Sequence, residues 1–303
     1  MTKTRPAAAP CGIINLEKMT KDKLVSEEVQ FSMKLSISNI AWPAEFDEDM
    51  YAFLQKNGFN GLEIAPTRIF PVSPYNNLAE ARRFAISLKE TYDLTIPSMQ
   101  SIWFGITESI FGSDSDRAKL IDYTKKSIDF AAGLNCTNLV FGCPKNRAIP
   151  AGMSDNDYSA IAHEFFTEIG SYAVACGVFL AIEPNPPIYN TNFINTTEEA
   201  FKICKKLNST GIKANIDIGT LIYNNEDIEI LKNNIGLINH VHISEPHLAP
   251  IEKRQLHIEL LRMLKDLSYQ NFISIEMSNN GDINTVKNAA LYLKGLYDDI
   301  LQY

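Results

Sequence analysis

Four residues in the second half of the chain carry groups that could hold one cation between them: Glu183, Asp217, His242 and Glu276. They follow one another at intervals of 34, 25 and 34 residues, each about the length of a strand plus a helix. Three carboxylates brought to one place repel each other, and a divalent cation removes the conflict. Two Glu, one Asp and one His form an oxygen-rich mixed donor set that suits Mn²⁺, Mg²⁺, Co²⁺ or Zn²⁺. Such an ion polarises a substrate carbonyl as a Lewis acid. The neighbouring C–H becomes acidic, the enediolate is stabilised electrostatically, and nearby carboxylates can remove and return the proton. Taken singly, a strand-end Glu reads equally as a salt-bridge partner, and a His as a hydrogen-bonded core residue. The signal is that four successive strands end this way.

The elements that must position these groups are short β-rich runs alternating with helical patterns. The strands are expected over 34–41, 61–65, 95–102, 137–142, 178–183, 212–217, 238–243 and 272–276. Side chains alternate across a strand. Phe179, Ala181 and Glu183 therefore share a face, as do Lys213, Asn215 and Asp217, then Ile238, His240 and His242, then Phe272, Ser274 and Glu276. The opposite faces are mostly apolar (Val178, Leu180, Ile182; Ile212, Ala214, Ile216; Ile273, Ile275) and should meet helices. Between strands, Leu256, Leu260, Leu264 and Leu267 form a helical stripe. Thr196 with Glu199 has capping-box spacing, Ser154 with Asp157 a similar relation, and Gly133 sits where a helix should end. Eight strands alternating with helices fit a closed barrel or an open doubly wound sheet. The turn after the first strand, Asn39-Ile-Ala-Trp-Pro43, lacks the Gly-rich phosphate motif of an open sheet. A single (β/α)8 TIM barrel over 33–303 is the expectation, with a short N-terminal extension over 1–32. In a barrel the inward strand ends gather at the C-terminal face, where such folds build active sites.

Composition narrows the partners. The chain has 303 residues, 45% of them hydrophobic, and a formal net charge of -8. No basic face is evident, which argues against a nucleic-acid partner and for a small molecule. No apolar run approaches the roughly 18 residues of a membrane span. The five cysteines, Cys11, Cys136, Cys143, Cys176 and Cys204, form no CxxC pair and read as reduced, pointing to the cytoplasm. Cys176 and Cys204 lie in helical patterns and read as core fillers. The first 32 residues lack the apolar core of a secretory signal, and their acidic residues argue against a transit peptide. Met33 reads as an alternative start.

Further candidates surround the four donors. Lys145 and Arg147 follow the fourth strand and are expected to bind an anionic group of the substrate. Glu245 and His247, beyond His242, are expected to meet substrate hydroxyls, and Asn185 joins them. Trp103 is expected as an aromatic wall beside the substrate, with Phe104 and Trp42 nearby. His240, one layer below His242, reads as a supporting histidine, and Glu63 as a buried ion-pair partner. His163 and His257 read as surface residues.

Several of these segments together resemble the xylose isomerase-like sugar isomerase and epimerase superfamily. They are Ile182-Glu-Pro-Asn185, Asn192-Phe-Ile-Asn-Thr196, Ile216-Asp-Ile-Gly219, His240-Val-His-Ile-Ser-Glu245 and Ser274-Ile-Glu276. The resemblance covers about residues 34–300. Its members include ketose 3-epimerases, hydroxypyruvate isomerases, sugar-phosphate epimerases, inosose dehydratases and endonuclease IV. It implies a metal held by Glu183, Asp217, His242 and Glu276, with Glu183 and Glu276 as the acid/base pair. It also implies a carbohydrate-like substrate, sugar or sugar phosphate, and a homodimer or homotetramer. The chain departs from the ketose epimerases at two places. Thr220 stands where they have a substrate-contacting His, and Pro186-Pro-Ile-Tyr-Asn190 lacks their Arg and Glu. A lyase or dehydratase using the same enolisation, or a non-catalytic ligand-binding barrel, remains an alternative. An endonuclease IV type of site would need several His ligands from the first four strands, which contain none.

Overall fold

Eight parallel strands pair in the order β2-β1-β8-β7-β6-β5-β4-β3 in the computed structural model, which describes residues 33–208 and 211–302. They are β1 (Lys34–Ser38), β2 (Gly61–Glu63), β3 (Ser98–Met99), β4 (Asn138–Phe141), β5 (Phe179–Ile182), β6 (Ile212–Asp217), β7 (Ile238–Ile243) and β8 (Phe272–Ile275). Parallel bridges Gly61–Thr95 and Ile64–Met99 join β2 to β3. The sheet thus closes into a (β/α)8 barrel, as the alternation of elements implied. The expected extension over residues 1–32 lies outside the described residues.

The helices are α1 (Asp47–Lys56), α2 (Pro66–Ile69), α3 (Leu78–Tyr92), α4 (Asp114–Gly133), α5 (Asp155–Ala175), α6 (Thr197–Leu207), α7 (Ile218–Asn224), α8 (Gln255–Asp266) and α9 (Ile283–Gln302). They cover the outward strand faces, where Leu180, Ile182, Ala214, Ile216, Val241, Ile243, Ile273 and Ile275 are fully buried. Local signals fix several starts. Thr196 and Glu199 form a complete capping box at α6, and the Ser154 hydroxyl accepts from Asp157 N at α5. A cap of this kind contributes about 1 kcal/mol. Gly133 is the last residue of α4, and its lack of a side chain makes room for α3: a Cβ there would lie 2.6 Å from Leu78 Cδ1. No helix among the described residues is long and apolar enough to cross a membrane.

Two features depart from regular alternation. The early strands are shorter than expected, and β3 keeps only two residues of the 95–102 run. Between β6 and β7 the register shifts: Ala214 pairs with Ile238, but Asn215 pairs with His240. Asn239 is the extra residue of this bulge, and its amide donates to Asn138 Oδ1 at the lower end of the barrel, 2.6 Å away. The simple alternation expects Ile238 on that inner face; the bulge gives the place to Asn239. Above the bulge the alternation resumes, so His240 and His242 both face inward.

Candidate metal centre

Strand register brings the four donors together. Asp217 and His242 are paired across β6 and β7. Ser274 pairs with His242, so Glu276 sits one layer higher, just past β8. Glu183 stands just past β5, where its N–H donates to Phe141 O. One ligand atom from each of Glu183, Asp217, His242 and Glu276 lies within 4.8 Å of the others, and all four residues are buried. His242 Nδ1 is 3.0 Å from Glu183 Oε1 and 3.2 Å from Glu276 Oε2.

Each donor is held from behind. His242 turns Nε2 down to Glu63 Oε2, 3.1 Å away. In the neutral ring, a proton on Nε2 donating to that carboxylate would leave the Nδ1 lone pair for a cation, as metal-ligating histidines are commonly arranged. His240 Nε2 lies 2.9 Å from the same oxygen, so Glu63 anchors both rings. Glu63 and His240 thus take the supporting places expected of them. Asn215 Nδ2 donates to Glu183 Oε1 at 2.7 Å, and Asn185 Nδ2 to Glu183 Oε2 at 3.0 Å. Asp217 Oδ1 caps α7 by accepting from Thr220 N at 2.6 Å, and Oδ2 accepts from the Ser244 hydroxyl. Gly142 leaves the room Glu183 needs, since a Cβ there would sit 2.6 Å from Glu183 Oε2.

The electrostatics describe a crowded anionic site. Burial, then the Glu183 charge, pushes Asp217 up to about 6. Burial, opposed by His242 and reinforced by Glu183 and Asp217, pushes Glu276 up to about 7. Burial alone would push His242 down, but the carboxylates of Glu63, Glu276 and Glu183 outweigh it and hold the ring well above its ordinary value. Burial would likewise raise Glu183, yet its hydrogen bond and charge contact with His242 keep it low. Among the described residues, no Lys or Arg forms an ion pair with any of the four donors. Three buried carboxylates and one imidazole without such a partner are a donor set that a divalent cation satisfies.

The cluster forms one side of a cavity of about 180 Å³. Glu183, Asp217, Glu276, Asn185 and Tyr189 meet Ile40, Gln100, Ser101, Val140, Gly142, Cys143, Pro144 and Leu248 around it. Of the expected substrate contacts, Asn185 lines this cavity and the other five do not. Arg147 is fully buried behind Glu183, where Nη2 donates to Glu183 O at 2.9 Å and Asn185 Oδ1 at 2.8 Å. It braces the end of β5 and does not reach out for an anion. Lys145 is exposed and does not line the cavity. Trp103 is a core residue: its indole donates to Thr124 Oγ1 at 3.0 Å and packs edge-on against Phe141 and Phe165. Glu245 is buried in a two-pronged ion pair with Arg254, at 2.7 and 2.5 Å. His247 is exposed with φ 61°; its backbone N–H donates to the Tyr189 hydroxyl at 2.9 Å, and its ring lies 6.3 Å, centroid to centroid, from the Tyr189 ring. His257, read from sequence as a surface residue, is buried against Tyr292; His163 is exposed. Sequence reasoning missed Tyr189, Cys143 and Leu248 as lining residues. The one signal for Tyr189 was its place just beyond the Glu183-Pro-Asn185 motif.

Fold and site together define a xylose isomerase-like barrel, and comparison with known proteins agrees. The description of the xylose isomerase-like TIM barrel family matches residues 51–296, and the chain belongs to that family. A search of curated protein sequences finds no match. Among solved structures, a 3-keto-D-glucoside 4-epimerase from E. coli superposes with a TM-score of 0.73 at 16% identity, covering 87% of this chain and 100% of that one. A D-psicose 3-epimerase from Clostridium cellulolyticum H10, solved with D-tagatose, gives 0.68 at 15% identity, covering 89% and 99%. The IOLI protein, solved with a zinc atom, gives 0.65 at 16% identity, covering 89% and 98%. At these identities the likeness is one of fold.

Proposed function

We propose that the protein is a divalent-metal-dependent isomerase or epimerase of an unphosphorylated sugar or related polyhydroxy carbonyl compound. The observation that carries this reading is the convergence of Glu183, Asp217, His242 and Glu276 beside one small cavity at the C-terminal ends of the strands. Sugar epimerases and a zinc-bound barrel of the same fold lend it support. A cation held by these four residues would supply Lewis-acid polarisation of the substrate carbonyl. The chain supplies the rest. Glu183 and Glu276 come from β5 and β8, with β6 and β7 between them, so the two carboxylates face a bound substrate from different directions. One can take the proton beside the carbonyl and the other can return it, which inverts that carbon. Asn185 and Asn215 hold the Glu183 carboxylate by both oxygens. Tyr189 offers its hydroxyl to a sugar hydroxyl, and the apolar Ile40, Val140 and Leu248 keep water from the reacting carbon. No Lys or Arg is among the lining residues, which favours an uncharged sugar over a sugar phosphate.

The test is solvent exchange. Protein loaded with Mn²⁺ or Co²⁺ is incubated in D₂O with a panel of ketoses, and deuterium at the carbon beside the carbonyl is read by NMR. Exchange is expected, and Glu183→Gln or Glu276→Gln should slow it by at least about a hundredfold. Metal-loaded protein that exchanges no sugar, or variants that exchange normally, would overturn the reading.

A further inference from the structure

Beside the cavity that the four donors flank lies a second space, and the two share a wall. Ile40 and Ser101 line the cavity on the β1 and β3 side, and the same two residues line a second cleft of about 490 Å³. The other walls of that cleft are Trp42, Pro43, Ala44 and Ala65, with Thr67, Arg68, Phe104 and Asn279 at its rim. Its chemistry differs from that of the cavity. The only charged lining residue, Arg68, is already committed to Asp47 at 2.6 and 3.0 Å and to Trp42 O at 3.2 Å. The cleft is thus an apolar floor with a few neutral polar groups. Above it stands Phe104, 70% exposed, the most exposed aromatic ring of the described residues.

The wall shared by the two spaces is held by hydrogen bonds. Ser101 has φ 53°, a left-handed conformation unusual for a side chain of its kind, and its hydroxyl donates to Gln100 Oε1 at 2.5 Å. Gln100 in turn donates to Ser38 Oγ at 2.9 Å, tying the tops of β1 and β3 together. Ser101 therefore stands fixed between cavity and cleft while Phe104, three residues on, projects into solvent. A ring with an apolar face is what an exposed aromatic and an apolar floor recognise together.

We infer that the cleft is a second subsite, and that the substrate is a sugar carrying a pendant ring: the reacting sugar beside the four donors, the ring across Ser101 against Phe104. This rests on the sugar isomerase or epimerase reading and adds the substrate class to it. The ring can belong to a second sugar or to an aromatic substituent, since both present the same kind of face. Either way the pendant group gives binding energy away from the reacting carbon.

The test compares ligands that differ only in the pendant ring. Titration calorimetry of Mn²⁺-loaded protein is run with a panel of 2-ketohexoses, with the same ketoses glycosylated on O4 or O6, and with the same ketoses carrying a benzyl group there. At least one ringed ligand is expected to bind about tenfold tighter than its parent ketose. Phe104→Ala, at an exposed position that the fold tolerates, should erase that gain and leave the parent's affinity unchanged. A larger gain from the glycosyl than from the benzyl series would identify the ring as a sugar, and the reverse as an aromatic group. Parent ketoses that bind with no gain from any ring, or a Phe104→Ala that weakens both alike, would overturn this inference alone. Metal-loaded protein that binds no sugar of any kind would overturn the functional reading along with it.

Discussion

The late strands and the early strands of this barrel end in opposite kinds of chemistry. At the tops of β5 to β8 stand Glu183, Asp217, His242 and Glu276, three acids and an imidazole within reach of one ion. At the tops of β1, β3 and β4 stand Ile40, Gln100, Ser101, Val140, Gly142 and Cys143, with no ionised group among them. Even Cys143 is kept neutral, because burial pushes its thiol up to about 12. Glu63, on β2, lies a layer lower and spends itself on His240 and His242. The lesson is a division of labour around one ring of strands. On the proposed function, the late half holds the cation and moves the proton, while the early half shapes the space for the substrate.

That division can be broken or sharpened by substitution. The largest effect from the early half should come from Glu63, because it fixes the orientation of His242. Glu63→Gln is expected to weaken metal affinity by about 10- to 100-fold with little change in fold, measured by metal competition and by circular dichroism. An unchanged affinity would mean that His242 needs no partner. Acid should weaken metal binding next. Asp217 and Glu276 are raised to about 6 and 7, and the neighbouring carboxylates hold His242 above its ordinary value, so a cation must displace the protons these groups carry in the metal-free protein. Affinity should be greatest above pH 7 and fall on acidification by about tenfold per pH unit for each proton displaced. A flat profile between pH 5 and 8 would contradict the coupling. Gly142→Ala should crowd the Glu183 carboxylate and lower metal affinity by about tenfold, a cost typical of overpacking. Lys145→Ala should change metal affinity and sugar exchange by less than about twofold, since the side chain is exposed and does not line the cavity. A large loss there would return an anion-binding role to the early half.

The same contrast explains what could be read from the sequence. Apart from the bulge at Asn239, the late strands alternate, carry long apolar outward faces and end in donors, so the positions of the donors follow from a period of two. Strand register then carries Asp217 and His242 side by side without help from loops. The loop residues were not legible in this way. Arg147 is drawn inward because the 192–196 segment folds back and offers Ile194 O beside Glu183 and Asn185. Trp103 turns to the core because Thr124 of α4 accepts its indole N–H. Glu245 is taken by Arg254, nine residues away. Each of these outcomes depends on a partner that no local pattern names. The bulge at Asn239 was hidden for a related reason, since an extra residue in one strand shows only when its neighbour is paired with it.

The central claim is that four strand ends make one cation site, and calorimetric titration of Mn²⁺ into chelator-treated protein tests it most directly. One ion per chain should bind, and Asp217→Ala or His242→Ala should abolish binding while the barrel stays folded by circular dichroism. A protein that takes up no divalent ion, or variants that bind as well as the unaltered chain, would contradict it.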